Sequence, residues 1–348
     1  MLDRPVFIVG SARSGTTLMR ACLERSRSLW RLGRASEYLF EPWFHPLRHG
    51  RRDHVLDASD ATPELRSDIT AAFERECYAP TRPLTDADRR AWLDRVAVQG
   101  LSPWYYDVAA EKLAAWFGAR VPEGPPFDHE TGEIPPFTFV EQGTRPDLAT
   151  IAGGLRLLDK DPAHAYRIRF LETLFPDARF VFVVRNGLHV VSSLMEAWRH
   201  PRWFFTYRMP VPLQIAGYSD RFQWGERWWN LQLPPGWEAF TDQPLEAVCA
   251  HCWHSTNEAM LPEAERIVAG GAGVLVRYEE LLARPVEVLE RVAEVIEIPA
   301  SELLDGTVLP TVATATPPSP SKWRRNEAAV LAVRDMIEPI NKRLDYAA

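Results

Sequence analysis

A chain of 348 residues, 46% hydrophobic and 25% charged, can bury one large core or two ordinary ones and has the composition of a globular protein. Its formal net charge of −7 provides no global positive field, which argues against nucleic acid or another long polyanion as partner. Four cysteines (Cys22, Cys77, Cys249 and Cys252) do not make a secreted disulfide framework in a chain this long. No apolar run approaches the roughly 20 residues of a membrane span, and the first, Val6 to Val9, is too short for a signal-peptide core. The chain reads as cytoplasmic.

Val6 to Val9 is instead a short buried strand. It is followed by Gly10-Ser-Ala-Arg-Ser-Gly15-Thr-Thr and by the helical pattern Leu18, Met19, Ala21, Cys22, Leu23. Strand, glycine-punctuated loop and helix start form an anion cradle, because loop amides and the positive end of the helix converge on one place. The Gly10-x-x-x-x-Gly15 spacing is that of a phosphate loop, but Thr16 stands where a nucleoside-triphosphate loop carries lysine. A shorter anion is expected, with Arg13 supplying charge, Ser14 and Gly15 completing the turn, and Thr16 and Thr17 adding hydroxyl donors.

Leu29 to Leu32 reads as a short second strand. Ser36 can cap the next helix, with Glu37 in its first turn and Glu41 one turn on. Residues 45–120 have helical periodicity, with Phe73, Cys77 and Tyr78 suited to one face. Pro122 to Pro136 reads as a loop or lid. Leu155 to Lys160 is an apolar strand that delivers Lys160 to its end, and Pro162 opens a helix from Ala163 to Phe175. Arg179-Phe-Val-Phe-Val-Val-Arg185 is a buried strand ending in arginine, and Gly187 turns it into the helix Leu188 to Trp198, which puts Ser193 two turns in. Residues 199–245 are rich in tryptophan, arginine and proline, consistent with an acceptor wall or with the core of an insertion. A long helix through Trp253 and Met260 follows. Cys249 and Cys252 share one of its faces as packing residues, since no second cysteine pair completes a zinc site. The strand Gly273 to Arg277, then Tyr278-Glu-Glu-Leu-Leu and the helix Val286 to Ile296, precede a late Ser321-Lys-Trp-Arg324.

Four of these stretches, Gly10-Ser-Ala-Arg-Ser-Gly-Thr-Thr-Leu-Met-Arg, Lys160-Asp-Pro162, Arg185 with Ser193, and Arg277-Tyr-Glu-Glu-Leu, resemble in order those of sulfotransferases that use 3′-phosphoadenosine 5′-phosphosulfate (PAPS). The donor half is similar to tyrosylprotein sulfotransferases and to many bacterial relatives. The resemblance implies a 5′-phosphosulfate loop at Arg13 to Thr17 and a 3′-phosphate grip at Arg185 and Ser193. It also implies a lysine on the transferring sulfuryl group at Lys160, a tyrosine near the nucleotide at Tyr278 and a closing lysine at Lys322. Glu37 matches the family's general base after an insertion of about three residues, with Glu41 as the alternative.

The resulting expectation is one α/β domain over 1–348, P-loop-like in three layers. A central parallel sheet lies between helices, with a helical and loop insertion at 45–150 that shapes the acceptor site and the aromatic insertion at 199–245. Sulfuryl transfer from PAPS to a hydroxyl would use Glu37, Lys160 and Arg13 and no metal, leaving PAP as product. The acceptor is expected to be a small molecule, glycan or lipid rather than a peptide tyrosine, and the oligomeric state is open. The alternatives are a Mg²⁺-dependent small-molecule kinase, with Asp159 on the metal, and a non-catalytic PAP- or PAPS-binding module.

Overall fold

The computed structural model describes residues 2–32, 36–48, 50–78, 156–199, 205–221, 225–304, 309–310 and 319–346. Its centre is a five-stranded parallel sheet built from β1 (Val6–Val9), β2 (Trp30–Arg31), β3 (Leu157–Lys160), β4 (Arg179–Val184) and β7 (Gly273–Arg277), in the order β2-β3-β1-β4-β7. β1 lies in the middle, with Ile8 opposite Lys160 of β3 on one side and Val9 opposite Phe182 of β4 on the other. The inner strands β1 and β4 are apolar along most of their length because both faces are covered.

Side-chain alternation divides the core. Phe7, Val9, Leu157, Phe180, Phe182 and Val184 pack on one face, and Val6, Ile8, Leu158, Val181 and Val183 on the other. The first face is covered by α5 (Gly187–Trp198) and the 25-residue α6 (Leu245–Ala269). The second is covered by α1 (Thr16–Leu23) and α8 (Pro285–Val295), which follows the short α7 (Tyr278–Ala283). In such a sheet ligands gather beyond the C-terminal strand ends, where the loops after β1, β3, β4 and β7 meet.

Two local expectations change. Ser36 makes no side-chain cap for α2 (Glu37–Phe44), and its buried hydroxyl has no partner. The backbone carbonyl of Ser36 accepts the Leu39 amide instead, at 2.9 Å. The segment after Lys160 is not one helix but a 3₁₀ turn, Pro162–Tyr166, and a separate α4 (Ile168–Leu174). The break falls at Arg167, with φ −139° and ψ 29°, whose side chain turns back to Asp161 and His164.

Of the 45–150 region, α3 (Pro63–Tyr78) is described, with Phe73 buried on the core. The remaining elements expected in that region, including the loop from Pro122 to Pro136, lie outside the described residues, as do Trp203 and Trp224. The 199–245 segment contains an antiparallel pair, β5 (Phe205–Arg208) and β6 (Trp228–Asn230). Trp198, Trp229 and Trp237 are buried there in edge-to-face contact with ring centroids 5.1 and 6.1 Å apart, so these tryptophans are core and not acceptor wall. Cys249 and Cys252 are buried free thiols. Among the described residues no helix is long and apolar enough to cross a membrane.

Candidate active site

The loop after β1 needs two residues in the left-handed region, Arg13 at φ 70° and Gly15 at φ 100°. Gly15 is required there twice over, because a Cβ would also lie 2.2 Å from the Tyr278 ring. Gly10 is equally constrained, since its Cβ would meet the Val183 carbonyl at 2.5 Å. α1 begins at Thr16 with no side-chain cap, so its first amides keep their capacity to bind an anion.

The ends of β3 and β4 flank this loop. They are two sheet spacings apart, about 10 Å, and carry Lys160 and Arg185. Arg185 donates from Nη1 to the Arg13 carbonyl at 3.2 Å and stacks over Tyr278, its Cζ 4.3 Å from the ring centroid. Arg13 donates from Nε to Ser193 Oγ at 3.2 Å. The loop arginine thus lies with Arg185 and Ser193, joining residues 180 positions apart. Burial is the main cause that draws Arg13 below the usual arginine range, and the charge of Arg185 adds to it while Glu196 opposes it. Burial also draws Arg185 down. Arg185 Nε is buried without a hydrogen-bond partner. Two half-buried guanidiniums, one with an orphaned N–H, suit a phosphate dianion.

One turn past Ser193 on α5, Glu196 receives Lys322 Nζ at 3.0 Å. Lys322 belongs to the 3₁₀ turn Lys322–Asn326, which is tied to α5 by Asn326 Nδ2 on Ser192 Oγ at 3.0 Å. Glu196 escaped the sequence reading. The signal for it was its position three residues after Ser193, on the same helical face.

On the β3 side, Glu37 is 3% exposed and its Oε2 is buried with no hydrogen-bond partner. Burial, and then the neighbouring Asp161, raise its carboxyl well above the ordinary value. Asp161 caps the 3₁₀ turn, accepting the Ala163 amide at 2.8 Å, and it also holds Arg167. Glu41 accepts from the Tyr207 hydroxyl at 3.0 Å, and that oxygen lies 2.9 Å from His54 Nε2. Asp159, which the kinase alternative needs on a metal, is buried and bonded through Oδ2 to His164 Nε2 at 2.9 Å. Among the described residues no cluster of three or more His, Cys, Asp or Glu side chains is arranged to hold a metal ion.

The structure therefore gathers Arg13, Gly15, Arg185, Ser193 and Tyr278 in one cluster, with Ser14 on the loop and Thr16 and Thr17 at the start of α1. Lys322 is tied to Glu196 at its edge, and Lys160 and Glu37 stand on the β3 side. Chemically the arginine cluster can hold an anion, and a buried carboxyl group stands on the β3 side.

No curated protein matches the chain. Among solved structures it is similar to the sulfotransferase domain from the curacin biosynthetic pathway, with 15% identity, 100% and 99% coverage of the two chains and a TM-score of 0.43. It is similar also to the sulfotransferase domain of the olefin synthase from Synechococcus PCC 7002, with 17% identity, 97% and 94% coverage and a TM-score of 0.41. A third, the sulfotransferase STF9 from Mycobacterium avium, has 16% identity, 99% and 76% coverage and a TM-score of 0.40. A model described as the sulfotransferase family matches residues 5–302, and over that span, most of its length, the chain belongs to the sulfotransferase family.

Proposed function

We propose that this protein transfers a sulfuryl group from PAPS to the hydroxyl of a small-molecule, glycan or lipid acceptor, releasing PAP. The observation that carries the donor assignment is the convergence of the half-buried Arg13 and Arg185 on Ser193 and the loop, with Arg185 Nε lacking a partner. Arg185 and Ser193 hold the 3′-phosphate, and Arg13, expected at the 5′-phosphosulfate and the transferring group, is assigned to the 3′-phosphate with them because its Nε reaches Ser193 Oγ. The amides from Ser14 to Thr17, with the threonine hydroxyls, hold the 5′-phosphate. Tyr278 borders the nucleotide between them, and Lys322 closes the edge.

In the reaction the bond from sulfur to the bridging phosphate oxygen breaks as the acceptor oxygen bonds to sulfur. Charge builds on the bridging and sulfuryl oxygens, where Lys160 and the loop amides stabilise it. Glu37 takes the acceptor's proton. The net charge of −7 disfavours acidic peptides as acceptors, which supports the smaller acceptor classes. The donor has no β,γ-diphosphate to clamp, so the reaction as proposed uses no metal.

The test is isothermal calorimetry with PAP on the wild type and on the double variant Arg185→Ala, Ser193→Ala. Loss of charge-assisted hydrogen bonds to a phosphate is expected to weaken binding by about 10- to 100-fold or more. Unchanged affinity refutes the donor assignment. Transfer from labelled PAPS is expected to persist in excess chelator.

A further inference from the structure

We propose that Glu196 is a positioning residue of the donor site: it holds the Lys322 ammonium at the rim of the Arg13–Ser193 cluster before any nucleotide arrives. The proposal rests on the donor reading above, in which Lys322 closes the edge of the site, and adds the residue that puts Lys322 there.

The geometry begins with one face of α5. His189, Ser192, Glu196 and Arg199, the last at the C-terminal cap, follow one another at spacings of three or four residues and so form a single stripe. The 3₁₀ turn Lys322–Asn326 lies along that stripe. The Trp323 ring stands 6.2 Å from that of His189, centroid to centroid. Asn326 donates from Nδ2 to Ser192 Oγ at 3.0 Å and accepts from Arg199 Nη1 at 3.0 Å. Lys322 Nζ reaches Glu196 Oε2 at 3.0 Å, and Arg325 Nη1 is 4.0 Å from Oε1 of the same carboxylate.

The two ends of the turn are therefore held by different means. Asn326 anchors the last residue through its side-chain amide, whereas Lys322, the first, is held through the charge of Glu196. The side chains of Lys322 and Glu196 are each 15% exposed, against 59% for Arg325, so the lysine pair is the desolvated one and the less screened by water. The stripe also adjoins the donor cluster. Ser193, three residues before Glu196, receives Arg13 Nε at 3.2 Å. One helix thus grips the loop arginine with one residue and places the lysine with another, a turn further on.

Two effects of opposite sign follow for a phosphate bound at that cluster. A carboxylate near the site repels it, so removing the carboxylate would by itself tighten binding. Lysine, however, carries its charge on a flexible four-carbon stem, and that freedom is lost when the ammonium meets an anion. Glu196 removes the freedom in advance. An ammonium has three N–H donors about one atom, so it can keep the carboxylate while it meets the anion. The pair is neutral as a unit, which offsets the repulsion and leaves positioning as the larger effect.

The experiment is calorimetric titration of PAP into the full chain, for the wild type, Glu196→Ala, Lys322→Met and the double variant. Glu196→Ala is expected to weaken binding by about 3- to 10-fold, the range set by immobilising one long side chain. Lys322→Met is expected to weaken it at least as much. In the Lys322→Met background, Glu196→Ala is expected to leave the affinity unchanged or to tighten it, because only the repulsion remains. That reversal separates positioning from a purely structural role, which would weaken binding in both backgrounds. Unchanged or tighter binding in Glu196→Ala alone, unchanged binding in Lys322→Met, or a further loss when the two are combined overturns the proposal. Should Glu196→Ala not fold, Glu196→Gln, which keeps the shape and lacks the charge, is read in the same way. A wild type that does not bind PAP refutes the donor reading and the proposal with it, whereas a wild type that binds PAP with the wrong pattern among the variants refutes the proposal alone.

Discussion

Gly15 concentrates the constraints on the donor loop in one residue. Its backbone is left-handed at φ 100°, and the Tyr278 ring occupies the place of a side chain. Gly15→Ala is therefore expected to lose about 1–2 kcal/mol of stability to backbone strain alone, with a further loss from displacing Tyr278. Because Arg185 stacks on that ring, PAP affinity is expected to fall as well. Thermal denaturation and PAP calorimetry, repeated in a Tyr278→Ala background, separate the two causes: the clash disappears with the ring and the strain stays. The glycine spacing and the Arg185 and Ser193 pair were legible in the sequence because each lies within one strand–turn–helix unit. The contact of Gly15 with Tyr278 and that of Arg13 with Ser193 were not, because nothing local encodes a pairing across 180 residues or more.

At the scale of elements, the turn from β4 into α5 is held by segments far from it. Asn186 caps α5 through the Leu188 amide at 3.0 Å, and the Gly187 amide donates to Asn341 Oδ1 at 2.9 Å. Asn341 belongs to α11 (Arg334–Arg343), which follows α10 (Glu327–Ala332) and the short α9 (Ala300–Leu303). Glu279 of α7 accepts the Asn186 amide and also the Tyr346 hydroxyl, the latter at 2.8 Å. A Cβ on Gly187 would lie 2.5 Å from Ile337 of α11, so helix and turn are in close contact. Arg185 lies two residues before Gly187, so this helix braces the backbone from which the guanidinium extends. Asn341→Ala would leave a buried amide without its partner and is expected to cost about 1–3 kcal/mol, measurable by urea denaturation, and to weaken PAP binding. The strands of the central sheet were readable, and β4, β7 and α5 fall within a residue of their expected starts, whereas the pair β5 and β6 was not expected. What could not be read was where Asp161 and Arg167 interrupt the helix after Lys160, because their ion pair, closed over six residues, overrode a pattern that was helical throughout.

Across the whole molecule, the two apolar faces of the sheet are unequal in chemistry. The face that packs α1 and α8 is aliphatic, whereas the one that packs α5 and α6 also encloses the polar chain from Asp159 through His164, Arg167 and Asp161 to Glu37, and from Glu41 through Tyr207 to His54. The family pattern made Glu37 legible as a candidate, but its partners come from three separated segments and only the fold assembles them. Burying so many titratable groups couples stability to pH. Burial pushes the His54 imidazole down to about 4 from its usual 6.5. Between those values the unfolded chain binds a proton that the folded one does not, so His54 contributes stability that is complete above pH 6.5 and is lost as pH falls toward 4. The difference in proton affinity corresponds to about 3 kcal/mol. Glu37 acts in the opposite sense. Its raised proton affinity favours the folded state at low pH, and that contribution is lost as pH rises from 4.5 through its folded value. The two oppose each other in a plain stability curve, and a comparison of variants separates them. In His54→Gln the loss of Tm between pH 6.5 and 4 is expected to be shallower than in the wild type, whereas in Glu37→Gln it is expected to be steeper. If both variants run parallel to the wild type across that window, neither group is titrating as its burial requires.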